Sequence, residues 1–186
     1  MILNNIDSSW TLFLDRDGVI NRKIENDYVL DWTQFEFLPG VLEAMKTFSQ
    51  IFGKIIVVTN QQGIGKGLMT EMKLKSIHSN MIAEIKKHGG RIDAIYYATH
   101  VKESNHVDRK PNVGMALRAK KDFPEIDFKK SIMAGDSQSD MEFGHKLGMV
   151  KAFINADSTF AKTHPVLVDI TANDLLKFSK MLNKPM

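Results

Sequence analysis

The chain has 186 residues, a net charge of +3, 43% hydrophobic and 25% charged residues, and no cysteine. That is enough for one domain with a buried core, and the missing cysteine excludes disulfides and thiolate metal sites. No apolar run reaches the length of a membrane span, and the lysine pairs (Lys86-Lys87, Lys120-Lys121, Lys129-Lys130) are scattered rather than gathered into a stripe, so neither a membrane nor a nucleic acid is an expected partner.

The small positive excess favours an anionic substrate. Nothing near Met1 resembles a signal peptide, so a cytoplasmic protein is expected, acting as a monomer or a weak homo-oligomer. Thr11-Leu12-Phe13-Leu14 is apolar but for its threonine and runs into Asp15-Arg16-Asp17-Gly18. This reads as a buried central strand of a parallel sheet, whose carboxyl end is where such sheets place ligands. Two carboxylates side by side there are costly unless a divalent cation, a shared proton or a basic residue compensates.

The polar segment 16–39, with Tyr28, Trp32, Phe35 and Phe37 along it, is too long for a plain connection and is expected to be a flap. Pro39-Gly40 opens a helix with Val41, Leu42, Met45 and Phe48 on one face, ending near Gly53. Ile55 to Thr59 forms the second strand and leads into a loop of amides and glycines, Asn60-Gln61-Gln62-Gly63-Ile64-Gly65-Lys66-Gly67. Thr70 is placed to cap a helix whose Leu74, Ile77, Met81 and Ile85 make an apolar stripe.

Ala94 to Tyr97 makes a third strand, followed by a polar loop to Lys110. Pro111 is expected to open a helix with Val113, Ala116 and Leu117 facing inward. Ser131 to Ala134 is a fourth strand running into Gly135-Asp136, with Asp140 in the first turn of a short helix, Met141 to Leu147. Val150 to Ile154 and Val166 to Val168 give two more strands, and a helix from Asn173 to Leu182 closes the pattern. Strands alternating with helices predict a single α/β domain over 1–186, with a doubly wound parallel sheet and no large cap domain.

A parallel sheet gathers all these strand ends on one edge, so Asp15, Asp17, Thr59, Lys110, Asp136 and Asp140 converge. The set suits phosphoryl transfer through an aspartyl-phosphate. A carboxylate can be the nucleophile, a second acid can move the proton, and a lysine and a hydroxyl can hold the phosphoryl oxygens. Mg²⁺ would neutralise Asp15 and Asp136 together.

The order Asp15-x-Asp17, strand-end Thr59, Lys110-Pro111 and Gly135-Asp136 resembles the haloacid dehalogenase superfamily of phosphatases. Phe13 to Asn21, Val57 to Gly67 and Arg109-Lys110-Pro111 are similar in particular to its heptose bisphosphate and histidinol-phosphate phosphatases. The resemblance covers nearly the whole chain. It implies that Asp15 is the nucleophile and a metal ligand, and that Asp17 is the acid/base with its carbonyl on the metal. Asp136 would be the other metal carboxylate, and Thr59 and Lys110 the phosphoryl holders. Glu25, Asn26, Asp27, Tyr28, Asn60, Gln61, Gln62 and Arg109 would line the substrate pocket.

Asp140 either caps its helix or supports the metal ligands. The family's cysteine-rich zinc loop falls at 98–110, where this chain has Ala98, His100, His106 and Asp108. With three ligands and no thiolate, no structural zinc is expected. Ser137 stands where heptose phosphatases tend to have lysine. The expected function is Mg²⁺-dependent hydrolysis of a small phosphorylated metabolite, foremost the 7-phosphate of a heptose bisphosphate. The alternatives are histidinol phosphate or another sugar phosphate, a catalytically silent phospho-ligand binder, and a nucleic-acid end-processing module.

Overall fold

The structure, a computed structural model, describes residues 5–24 and 27–182. Six strands form one all-parallel sheet: β1 (Thr11–Leu14), β2 (Lys54–Asn60), β3 (Ala94–Ala98), β4 (Ser131–Gly135), β5 (Val150–Ile154) and β6 (Ile170–Ala172). Their order across the sheet is β3-β2-β1-β4-β5-β6. The chain therefore winds outward from β1 to β3, then returns to pair β4 against the other side of β1, in register from Thr11 with Ser131 to Leu14 with Ala134. The switch point falls between β1 and β4, the place where open sheets of this kind leave a crevice beyond their carboxyl ends.

The alternation of side chains along each strand divides the core into two layers. Leu12, Leu14, Ile55, Val57, Ile132 and Ala134 face one way. They meet α1 (Val41–Ile51), α3 (Glu71–Lys87) and α7 (Leu175–Leu182) through Met45, Phe48, Leu74, Ile77, Met81 and Phe178. Phe13, Ile56, Val58 and Met133 face the other layer, built from Met115, Ala116 and Ala119 of α4 (Gly114–Asp122) and Phe143 of α5 (Gln138–Lys146). With both faces covered, the central strands carry almost no polar side chain until they reach the ligand edge.

Several expectations shift. Pro111 lies before α4 rather than opening it, and the helix begins at Gly114, so Met115 rather than Leu117 turns inward and Leu117 is exposed. Residues 166–168 are no strand. Val166 is exposed, and the sixth strand comes later, at Ile170–Ala172, after a short helix α6 (Thr159–Thr163). The amide-rich segment after β2 contains one short helix, α2 (Gln62–Gly65), where a loop was expected.

The flap is pinned rather than free. Asn21 bridges to Asp17 and to Phe37, Leu38 donates to Ile20 O and Arg22 to Glu36 O, and Val19, Ile20 and Val29 are buried in the core. Trp32 and Phe35 stack with centroids 4.8 Å apart, and Phe37 meets both rings edge-on. Glu25 and Asn26, expected in the substrate pocket, lie outside the described residues.

Candidate active site

Strand ends bring the candidate carboxylates together. Asp15 directly follows β1, its N–H donating to Ala134 O of β4 at 3.0 Å. Asp136 directly follows β4, so two carboxylates meet across the switch point. Gly18 turns the chain here with φ +87°, and a Cβ on it would run into the Asp136 carboxylate, so only glycine allows the approach. Gly135 does the same for α5, since its Cβ would overlap the Asp140 side chain.

Lys110 enters from the loop before α4 and is buried. Its Nζ donates to Val58 O at 2.7 Å and forms ion pairs with Asp15 Oδ1 at 2.8 Å and Asp140 Oδ1 at 2.6 Å. Burial works against the ammonium, but Asp140 and Asp15 outweigh it and push its pKa up to about 12. Asn60 fixes the Lys110 backbone from both sides. Its Oδ1 accepts from Lys110 N at 3.0 Å and its Nδ2 donates to Lys110 O at 3.1 Å. Asn60, expected on substrate, thus also holds the lysine in place.

Asp140 caps its helix, one of the two roles foreseen for it, and also pairs with Lys110. Its Oδ2 accepts from Ser137 N at 3.1 Å and from the Ser137 hydroxyl, closing a capping box, while its Oδ1 faces Lys110. Asp15, Asp136 and Asp140 each bring a carboxylate oxygen within 4.8 Å of the others. Burial, with Asp140 and Asp136 as like charges, pushes Asp15 up to about 7 against the opposing pull of Lys110. Burial and Asp140 likewise push Asp136 up, to about 6.

Asp17 is held differently. Arg16 Nη2 donates to both of its oxygens at 2.9 Å, Asn21 Nδ2 to Oδ1 at 2.9 Å and Gln61 Nε2 to Oδ2 at 2.7 Å. Burial opposes ionisation, yet the Arg16 charge and these hydrogen bonds outweigh it and hold Asp17 below the ordinary carboxylate range. Gln61 Nε2 also reaches Thr59 Oγ1 at 2.9 Å, so one amide ties the second carboxylate to the strand-end hydroxyl.

These groups floor a cleft of about 240 Å³. Its walls include Asp27, Tyr28, Gln62 and Arg109, all expected there, and Lys23, Ser137 and Ser139, which were not. Gln62 Nε2 donates to Tyr28 Oη at 2.8 Å, and Lys66 lies over the Tyr28 ring, so flap and α2 close one wall together. Arg109 Nη1 donates to His100 O at 3.0 Å. In the 98–110 loop the rings of His100 and His106 stack with centroids 3.4 Å apart, and Asp108 pairs with Arg118.

Lys23, 3.8 Å from Asp136 Oδ2, carries no motif a sequence would betray. Arg16 and Asn21 were legible only as part of the run after β1, and Asn21 becomes a partner for Asp17 because the flap turns back at Gly18 and brings it beside the carboxylate.

The chain is similar to known phosphatases. The family model for "Polynucleotide kinase 3 phosphatase" matches residues 6–169. A D-glycero-alpha-D-manno-heptose-1,7-bisphosphate 7-phosphatase of Mycobacterium bovis is 40% identical over 147 residues, covering 79% of this chain and 77% of its own. The D-glycero-beta-D-manno-heptose-1,7-bisphosphate 7-phosphatase of Escherichia coli is 38% identical over 138 residues, covering 70% of this chain and 71% of its own. The crystal structure of D,D-heptose 1,7-bisphosphate phosphatase from B. bronchiseptica, complexed with magnesium and phosphate, superimposes with a TM-score of 0.84 at 27% identity, covering 93% of this chain and 97% of that one. By sequence and by fold, the chain belongs to the haloacid dehalogenase-like phosphatase family.

Proposed function

We propose that the protein hydrolyses a phosphate monoester of a small sugar through an aspartyl-phosphate, its substrate being D-glycero-D-manno-heptose 1,7-bisphosphate, which loses the 7-phosphate. The observation that carries this reading is the pair Asp15 and Asp17. They lie two residues apart in one cleft, yet their environments push the two carboxyl groups in opposite directions. Arg16, Asn21 and Gln61 hold Asp17 ready as the base of the water step, while Lys110 Nζ lies 2.8 Å from Asp15 Oδ1, where a phosphoryl group on Asp15 would meet it.

The residues fit a hard divalent cation. Asp136 Oδ1 is buried with no hydrogen-bond partner among the described residues, beside the oxygens of Asp15, and Mg²⁺ favours a few such carboxylates. Asp15, Asp136 and the Asp17 carbonyl would hold it, and it would supply charge neutralisation for the phosphoryl oxygens. Asp140, already engaged by Lys110 and Ser137, is left to position the lysine. The 98–110 loop we read as binding no zinc, since His100 and His106 stack on each other and Asp108 faces Arg118.

In the first half-reaction an Asp15 oxygen attacks phosphorus, the P–O bond to the sugar breaks, and protonated Asp17 gives its proton to the departing alkoxide. In the second, water attacks the phosphorus of the aspartyl-phosphate, Asp17 takes the water proton, and the Asp15–P bond breaks to release inorganic phosphate. Lys110 and Thr59 hold phosphoryl oxygens throughout. Arg16 favours the ionised Asp17 needed for the second half and works against the protonated one needed for the first. The first step is therefore the one that should respond to the leaving group.

Arg109 stands on the cleft wall next to Lys110, where a planar cation can meet a distal phosphate or sugar hydroxyls. The family description also raises a 3′-phosphate on a nucleic-acid end. Turnover with Mg²⁺ of both anomers of the heptose bisphosphate, histidinol phosphate and a 3′-phosphorylated oligonucleotide decides among these. The reading expects the highest kcat/KM on a heptose bisphosphate, and a preference for the oligonucleotide would overturn it.

A further inference from the structure

Behind Asp17 lie two buried ionisable side chains, Arg16 and His78, and His78 has no part in the steps above. Arg16 is 0% exposed, and a guanidinium keeps its charge even there. One end of it grips Asp17 through Nη2. At the other end Nη1 meets His78 Nε2 at 3.2 Å, while Nε is buried without a partner among the described residues. A guanidinium only donates, so Nε2 of His78 must be the acceptor and the ring must be neutral with its proton on Nδ1. Burial first, and the Arg16 charge second, keep His78 neutral by pushing its pKa down to about 3.

His78 sits on α3 in the buried stripe of Leu74, Ile77 and Met81, and its ring packs against Tyr97 with centroids 5.6 Å apart. The imidazole is thus locked into the core, on an element separate from the catalytic loop. Nη2 reaches both carboxylate oxygens, alongside Asn21 and Gln61, so the orientation of the guanidinium helps set that of the carboxylate.

We propose that His78 and Arg16 are a positioning pair: the His78 ring fixes the Arg16 guanidinium, and through it aims the Asp17 carboxylate at the leaving oxygen. The inference rests on the phosphatase reading, to which it adds a residue on α3, behind the site. It separates from a purely structural role, because a misaimed acid hurts esters that need leaving-group protonation and spares those that do not.

The test compares His78→Gln with His78→Asn. Both keep an amide, but glutamine places its oxygen near the position of Nε2, and asparagine falls short of Arg16. Each is assayed with Mg²⁺ on heptose 1,7-bisphosphate, an alkyl ester, and on para-nitrophenyl phosphate, whose leaving group departs without help. His78→Asn should lose about tenfold to a hundredfold in kcat on the alkyl ester, since small misplacements cost up to about that much. It should lose under about threefold on the aryl ester, with KM unchanged on both, and His78→Gln should stay within about twofold of wild type, part of the general acid contribution being retained. Equal losses on both esters, equal losses in both variants, or no loss in His78→Asn would overturn the inference. No turnover of either ester by the wild-type protein would overturn the phosphatase reading, and the inference with it.

Discussion

Asp15 and Asp17 leave the same strand and share one cleft, but their surroundings differ. Asp15 belongs to a cluster of carboxylates around Lys110, with buried Asp140 and half-buried Asp136 beside it and Lys23 at the edge, 3.8 Å from Asp136. Negative charge exceeds positive there, so the carboxyls are pushed up and the cluster attracts a metal. Asp17 belongs to a cluster of donors, Arg16, Asn21 and Gln61, which leaves it ionised without help. One side is short of positive charge and the other is satisfied. On the proposed mechanism the difference gives each acid its work: the unsatisfied side would take metal and phosphoryl group, and the satisfied side would handle the proton.

The comparison breaks most sharply at Asp15. Asp15→Asn should reduce turnover of every phosphate ester by on the order of 10⁴-fold or more, because an amide is no nucleophile and groups acting as a unit fail together. The fold should survive, checked by an unchanged circular dichroism spectrum. Asp17→Asn should instead cost about 10²- to 10⁴-fold on a sugar phosphate and far less in the phosphorylation step with para-nitrophenyl phosphate, as single-turnover kinetics would report. Equal losses on the two esters would remove the distinction between the carboxylates.

On the wall of the cleft the expected effect is smaller. Arg109→Ala should raise KM for a heptose bisphosphate by about tenfold or more, the worth of one charge-assisted hydrogen bond. It should barely change KM for para-nitrophenyl phosphate, since Lys110 and Thr59 hold the reacting group. If kcat/KM falls by the same factor on both, Arg109 serves the chemical step instead.

The smallest effect concerns stability on the Asp17 side. In the unfolded chain His78 takes a proton below about pH 6.5, whereas in the folded protein it stays neutral down to about pH 3. Between those values the unfolded state binds the extra proton, so folding stability falls as the pH drops. From pH 7 to pH 5 the wild-type protein should lose about 2 kcal/mol more than His78→Gln, as urea unfolding at the two pH values would show. Parallel losses would mean that His78 is protonated in the folded state and cannot accept from Arg16.

The sequence was most legible where one physical rule acted alone. Apolar runs marked β1, β2 and β4, and once these were parallel, Asp15, Thr59 and Asp136 had to arrive on one edge. The stripe Leu74, Ile77, Met81 and Ile85 gave α3 and its buried face. His78 stands within that stripe, one residue after Ile77 and four after Leu74, and spacing could have marked it as a buried histidine. Its partner could not be found that way, because Arg16 is 62 residues away.

Lys110 against Asp140, and Asn60 against the Lys110 backbone, were hidden for the same reason. Each pairs the loop residue Lys110 with an element distant in sequence, Asp140 of α5 or Asn60 of β2, and is fixed by the packing of helices on the sheet. The expected strand at 166–168 failed although two valines suit a strand: Val166 lies exposed after α6, and Leu167 and Val168 are only half-buried. The expected helix start at Pro111 failed because the chain first turns to deliver Lys110 into the site, and α4 begins three residues later.

The central claim, that Asp15 carries the phosphoryl group and Asp17 the proton, is tested most directly by trapping the intermediate. Asp17→Asn is mixed with para-nitrophenyl phosphate and Mg²⁺, quenched in acid within the first turnover, and digested for mass spectrometry. The account predicts one phosphoryl group on the peptide containing Asp15, at that residue, and none when Asp15→Asn is combined with it. A phosphoryl group on any other side chain, or steady release of phosphate from the double variant, would contradict it.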